Sequence, residues 1–389
     1  MADGLARPRL NAVVVLSIAA FVSIVDRSVT PPLVPVIADD FATPVAQIGI
    51  ALTLYSIAYA VFTLPWSILS THWGRVRVLA VSTGIAALAN AGTALSQDQL
   101  SFTVSRGISG AAFAATFTVV LVYFGDSMTM ARRAVATANL AAAVALGLAL
   151  GTLGAGAIAH WLNWRWVFAV VAIVSVLLVV LVLLLPEPPH GAREGLVPSL
   201  ARLVRTPWAI AVLGITLLEG VLLIGIYNYF PVALQETGTS VLVAGAVTAA
   251  FGASVIVVSQ LMKLVLGRWP AWLLLLIAGV CVVGGYIALG LTVTPASVVV
   301  ASVLLGIAWA LGHTTIQTWM TDAAATARPI GMALFSIALF TGASIGAALG
   351  GAAADTGVFG TLFTAAAVAS VVFTILATAG RARYRVGGS

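Results

Sequence analysis

Three ionisable residues, Asp26, Arg106 and Glu219, interrupt runs of apolar residues long enough to cross a bilayer. A charge at the centre of such a helix costs about 2.5 to 3.5 kcal/mol on insertion scales, so it must face a partner or a water-filled cavity. Glu219 is the twelfth of 23 residues between Trp208 and Phe230, which places a carboxylate near the midplane. The apolar run Leu10 to Val25 is sixteen residues. At 1.5 Å per residue that is about 24 Å, short of a core of about 30 Å, so Asp26 lies inside as well. Measured from the outer helix ends, Asp26 is about 16 Å deep and Arg106 about 10 Å, a difference an arginine side chain covers. Protonating Asp26 would release Arg106, the two-state change that proton coupling requires. The same residues also allow a static ion pair and a structural, protonated glutamate. Arg27 stands about 100° around the helix from Asp26, with no partner assignable from sequence.

Other polar residues on apolar helices are candidates for holding a small molecule. His313 and Gln317 are four apart and share a helix face with Trp309, while Tyr227 and Asn228 lie near the outer end of the Glu219 helix. Each has a plainer reading as a structural or interfacial residue. Gly147 and Gly151, and likewise Gly342 and Gly346, form small-xxx-small faces that allow close helix contact or a sliding interface between two halves. Gly342-Ala-Ser344-Ile-Gly346 also fits the pattern G-x-S-x-G, raising a remote intramembrane serine hydrolase with His313 as base; its residues belong equally to the glycine packing pattern. The one lysine, Lys263, is followed by Leu264, so there is no Walker A loop, and the lone Cys281 permits neither an intrachain disulfide nor a thiolate metal site. Neither a cofactor nor a metal is expected.

These residues are positioned by helices. Of 389 residues, 61% are hydrophobic and 8% charged, too little charge for a surface facing water. Twelve spans are read: Leu10 to Ile37, Val45 to Ser70, Val76 to Leu95, Leu100 to Phe124, Ala134 to Ala159, Trp166 to Leu185, Trp208 to Phe230, Val241 to Met262, Trp272 to Leu291, Ala296 to Trp319, Ile330 to Ala354 and Val358 to Ala379. The first exceeds signal-peptide length and is expected to be retained. Residues 186–207, with Pro186, Pro188, Pro189, His190, Arg193, Glu194, Arg202 and Arg205, read as a linker between 1–185 and 208–389.

Fifteen of the eighteen Lys and Arg residues fall on one side of the twelve spans: Arg7, Arg9, Arg75, Arg77, Arg132, Arg133, Arg193, Arg202, Arg205, Lys263, Arg268, Arg328, Arg381, Arg383 and Arg385. Arg165 alone faces the other. The positive-inside rule puts both ends of the chain and the linker in the cytoplasm. The net charge of +6 is scattered between apolar runs, so nucleic acid is not expected as a partner. The two halves also repeat. Thr43, Val45 and Gly49 recur as Thr239, Val241 and Gly245, Gly74-Arg75 as Gly267-Arg268, Ala131-Arg132 as Ala327-Arg328, and Gly147 and Gly151 as Gly342 and Gly346. Two six-helix copies of equal orientation are related by an axis along the membrane normal.

The arrangement resembles the major facilitator superfamily, and within it the twelve-helix drug:proton antiporters, over the whole chain. Asp26 followed by Pro31, Pro32, Leu33 and Pro35 is similar to that family's acid-then-proline pattern in helix 1. Ser67 to Leu79 resembles the loop signature G-x-L-A-D-R-x-G-R-R through Leu69, Gly74 and Arg75, with Ser67 and Thr71 departing from it. Arg106 with Gly110 is similar to the helix-4 arginine motif, Gly147 to Gly156 resembles the helix-5 motif G-x-x-x-G-P-x-x-G-G with Thr152 and Ala155 departing, and Asn163 to Phe168 resembles the start of helix 6. The resemblance implies an all-α membrane protein of two six-helix bundles and no enzyme. A monomer is expected, and a mostly apolar cavity with one or two carboxylates suits proton-coupled export of lipophilic or cationic small molecules, or lipids. Asp26, Arg106 and Glu219 would couple the proton, and Gly74, Arg75 and the paired glycines would shape the conformational change. Import or facilitated passage of a polar metabolite is the rival, and sparse intramembrane Asn and Gln argue against it. Seventeen arginines against one lysine suggest a bacterial inner membrane.

Overall fold

The computed structural model describes residues 11–188, 196–265, 268–325 and 327–385. Arg7, Arg9, Pro189, His190, Arg193, Glu194 and Gly267 lie outside the described residues, as does the Lys263 side chain. Eleven described helices are long and apolar enough to cross a membrane, and a bent pair makes a twelfth. That pair is helix 1, Ala12–Ser28 followed by Thr30–Asp40 at an angle of 43°. The continuous first helix expected from the sequence is therefore broken at Val29. Pro31 and Pro32 cause the break, since they donate no backbone hydrogen bond and their rings crowd the carbonyls of the preceding turn.

Helices 2 to 6 are Val45–Trp73, Arg75–Ala94, Gln99–Ser127, Met130–Trp161 and Trp164–Leu183. A short helix, Leu196–Val204, precedes helix 7, Pro207–Glu236. Helices 8 to 12 are Val241–Met262, Ala271–Leu291, Pro295–Ala323, Arg328–Thr356 and Phe359–Arg383. Side-chain caps set several of these starts. Asp98 accepts from the Ser101 amide, Asn163 from Arg165, and Thr294 and Ser297 close a capping box.

Helix pairing repeats after six helices. Helices 2 and 4, 3 and 6, and 1 and 5 pack together, as do 8 and 10, 9 and 12, and 7 and 11. The two halves meet where helix 2 crosses helix 11 and helix 5 crosses helix 8, contacts that the repeat interchanges. Large apolar side chains such as Leu88, Ile173, Leu177 and Ile375 point outward, while Ser82, Asn90, Ser175 and Ser370 are fully buried. This inverted distribution suits a hydrocarbon solvent.

Candidate functional site

Helix 4 carries Arg106 into the interior of the first half, where it is 1% exposed and Asp26 is 0% exposed. The guanidinium grips the carboxylate with both terminal nitrogens, Nη1 to Oδ1 at 2.8 Å and Nη2 to Oδ2 at 3.1 Å. Nη2 also donates to the Asp26 carbonyl at 2.8 Å, and the Ser109 hydroxyl donates to Oδ2 at 3.0 Å. Asn90 joins through Arg106 and Ser109. The rings of Tyr55 and Phe168 flank the guanidinium at 5.0 and 5.1 Å. Both carboxylate oxygens are thus occupied by donors, which is how a buried ion pair offsets its desolvation.

The second half holds its own acid and base. Glu219 is fully buried on helix 7, and His313 Nδ1 on helix 10 lies 3.2 Å from Glu219 Oε1. The other carboxylate oxygen, Oε2, is buried without a hydrogen-bond partner. His313 stacks on Trp309 with ring centres 4.1 Å apart. The two pairs are counterparts: helix 1 to helix 4, and helix 7 to helix 10. The sequence reading put His313 in a substrate pocket and Glu219 on its own; the structure joins them instead. Both helices carry a π-helical turn beside the pair, Val221–Ile226 after Glu219 and Trp309–His313. Such wide turns rotate the residues beyond them away from simple helical spacing, and they occur often at functional sites.

A narrow cavity of about 20 Å³ lies where the halves face each other, lined by Arg27, Tyr227, Asn228, Trp309 and apolar neighbours including Leu148, Leu223 and Phe251. Arg27 and Asn228 also line an adjoining pocket of about 10 Å³ that reaches Tyr55 and Arg106. Tyr227, Asn228 and Trp309 therefore line the space between the halves. Gln317 is half-buried and lines neither space, because it lies one turn past the π-helical segment. Arg27, Thr152 and Phe251 were missed as lining residues; the unassigned charge of Arg27 was the available signal. The halves also touch at Gln235, which donates to the Pro32 carbonyl at 2.9 Å, and at Tyr59, stacked on Phe340 at 3.7 Å.

The paired glycines do not form the interface between halves. A methyl group on Gly147 or Gly151 would meet Ile24 or Ser28 of helix 1, and one on Gly342 or Gly346 would run into the backbone of helix 7 at Leu217 or Val221. They are seams inside each half, corrected from the sliding surface expected. Gly156, Gly245 and Gly252 make the close contact of helix 5 with helix 8. Ser344 donates to the Thr341 carbonyl and His313 is engaged by Glu219, so these two are not paired with each other for hydrolysis.

Gly74 adopts φ 101°, a left-handed conformation that favours glycine, and lets the chain turn from helix 2 into helix 3. Arg75 is buried, bonded to Asp126 at 3.0 Å and to the Ser70 carbonyl. The Glu187 carboxylate receives the amides of Arg75 and Val76, capping helix 3. Thr71, which replaces the acid of the loop signature, bonds only its local backbone at Ile68. Asp126 on helix 4 and Glu187 at the start of the linker supply the negative charge instead.

The sequence profile of the Major Facilitator Superfamily matches residues 16–328. The chain belongs to that family. It is a multi-pass membrane protein, and the family consists of transporters rather than enzymes. The chain is similar to the efflux pump dotC of Dothistroma septosporum (strain NZE10 / CBS 128990), 27% identical over 157 residues, 40% of this chain and 27% of that protein. It is also similar to the MFS-type transporter phiD of Fungal sp. (strain ATCC 74256), 28% identical over 156 residues, 40% of this chain and 24% of that one. The chain spans about a quarter of the length of these curated relatives. Arginine usage suggested a bacterium, whereas these relatives are fungal. Among solved structures, a bacterial homolog of the human lysosomal transporter Spinster, inward-facing and unoccupied, has TM-score 0.74 at 18% identity, with 97% of each chain covered. The nucleoside transporter NupG has TM-score 0.74 at 14% identity, covering 97% of this chain and 100% of that one. At such identity the likeness shows the fold.

Proposed function

We propose that this chain is a secondary transporter that exports lipophilic small molecules from the cytoplasm in exchange for protons. The bundles 1–185 and 208–389, joined by the cytoplasmic linker 186–207, would rock about the central cavity to open it alternately to each side. The proton part rests on one observation, the buried Glu219–His313 pair with its unpartnered carboxylate oxygen. Between them the two groups hold one proton at no net charge. Releasing it leaves a buried negative charge, which is tolerable only when water reaches the pair. Proton release is thereby tied to the state of the bundle. Asp26, whose oxygens are already filled, acts in this reading as the rigid counterpart that holds helix 1 to helix 4. Names of distant relatives favour export. Leu148, Leu223, Phe251 and Trp309 on the cavity wall favour a lipophilic body over a sugar. The expected preference for cations finds no support there, since neither Asp26 nor Glu219 lines the cavity.

The test uses proteoliposomes loaded with a pH-sensitive dye and an imposed pH gradient, to which a panel of lipophilic compounds is added. Wild type should couple at least one compound to proton movement, and Glu219→Gln, held neutral, should fold but lose that coupling. If Glu219→Gln moves protons with the compound as wild type does, the proton site is elsewhere and the reading fails.

A further inference from the structure

Arg27 is a guanidinium inside the membrane that no carboxylate among the described residues answers. It lines both cavities at the meeting of the halves. Asp26, its sequence neighbour, points another way and gives both oxygens to Arg106 and Ser109. No described residue forms an ion pair or hydrogen bond with Arg27. What surrounds it is aromatic. Its guanidinium stands 5.7 Å from the centre of the Phe340 ring, and the phenols of Tyr55, Tyr59 and Tyr227 are its electrostatic neighbours. A ring face is a weak substitute for an anion, whereas a guanidinium fork binds a carboxylate with two parallel hydrogen bonds. The same cavity lining holds a run of rings, Tyr227 against Phe251 at 4.6 Å and Phe251 against Trp309 at 6.2 Å.

We infer that the central cavity, widened as the two halves rock apart, takes a lipophilic organic anion, its carboxylate held by Arg27 and its aromatic body received by Tyr227, Phe251 and Trp309. Entry of the anion supplies the charge that the cavity lacks and leaves the apolar body against apolar wall. This rests on the reading of that cavity as the transport path, and it replaces the cationic substrate with one of opposite sign. Tyr227 is already turned to the wall, its hydroxyl donating to the Thr248 carbonyl at 2.9 Å, so its ring is presented to the ligand.

The experiment is calorimetric titration of the full chain in neutral detergent at one pH, with no gradient, using 2-naphthoate and 2-naphthyltrimethylammonium. These probes share a body and differ in charge. Wild type should bind 2-naphthoate in clear preference to the cation. Arg27→Gln should lower 2-naphthoate affinity by about tenfold to a hundredfold, the loss expected for a hydrogen bond to a charged group, and Arg27→Lys should fall between. Equal or weaker binding of the anion than of the cation in wild type overturns the proposal, even if Arg27→Gln does not fold. So does undiminished 2-naphthoate affinity in a folded Arg27→Gln. Anion binding without proton-coupled movement would defeat the export reading and leave this one. Gradient-driven movement of a cation without Arg27-dependent anion binding would defeat this one alone.

Discussion

Asp26→Asn removes the charge that Arg106 answers while keeping the side chain's shape. Removing one partner of a buried pair costs about 3 to 5 kcal/mol, because the other charge is left uncompensated. Several contacts survive here: the bond from Arg106 Nη2 to the residue-26 carbonyl at 2.8 Å, one side-chain oxygen, and the flanking rings at 5.0 and 5.1 Å. These pull the expected loss to the lower end, about 3 kcal/mol. The double variant Asp26→Asn/Arg106→Gln carries no stranded charge and should lose only about 1 to 2 kcal/mol. It should therefore be more stable than the single variant. Denaturant unfolding in mixed micelles, followed by tryptophan fluorescence on all four members of the cycle, measures both quantities. A loss below about 0.5 kcal/mol for Asp26→Asn, or a double variant weaker than the single, would refute the account of this pair as a closed, charge-balanced clamp.

The glycine seams predict that Gly342→Leu and Gly346→Leu lower the yield of folded, monodisperse protein and not transport alone, since each side chain would collide with the backbone of helix 7; normal elution profiles for both would show that the seam opens freely. The charge census predicts that a cysteine at Gly191, in a variant without Cys281, is labelled by an impermeant maleimide only from the cytoplasmic side. Labelling from outside alone would invert the topology and the direction assigned to export.

Much of this architecture is legible in composition because the cost of placing a segment in hydrocarbon is close to a sum over its residues, independent of its neighbours. Twelve spans follow from that sum, and the charge asymmetry and six-helix repeat follow from the loop arginines and the residues that recur between the halves. Depth along a helix follows too, which is why Asp26 and Arg106, on helices 1 and 4, were within reach before any packing was known. Facing is a different matter. The partnership of Glu219 with His313 joins residues 94 apart on helices whose π-helical turns depart from regular spacing, and no property of either segment alone specifies it. The substitution of Asp126 and Glu187 for a missing loop acid likewise needs three chain segments brought to one place. The glycine faces show the same division: spacing announced close contact, but only packing chose helices 1 and 7 as the partners. Arg27 is the sharpest case. Sequence showed a charge without a mate, and the tertiary structure decided that its surroundings are a cavity, because Asp26 had been taken by Arg106 and the two halves leave space between them.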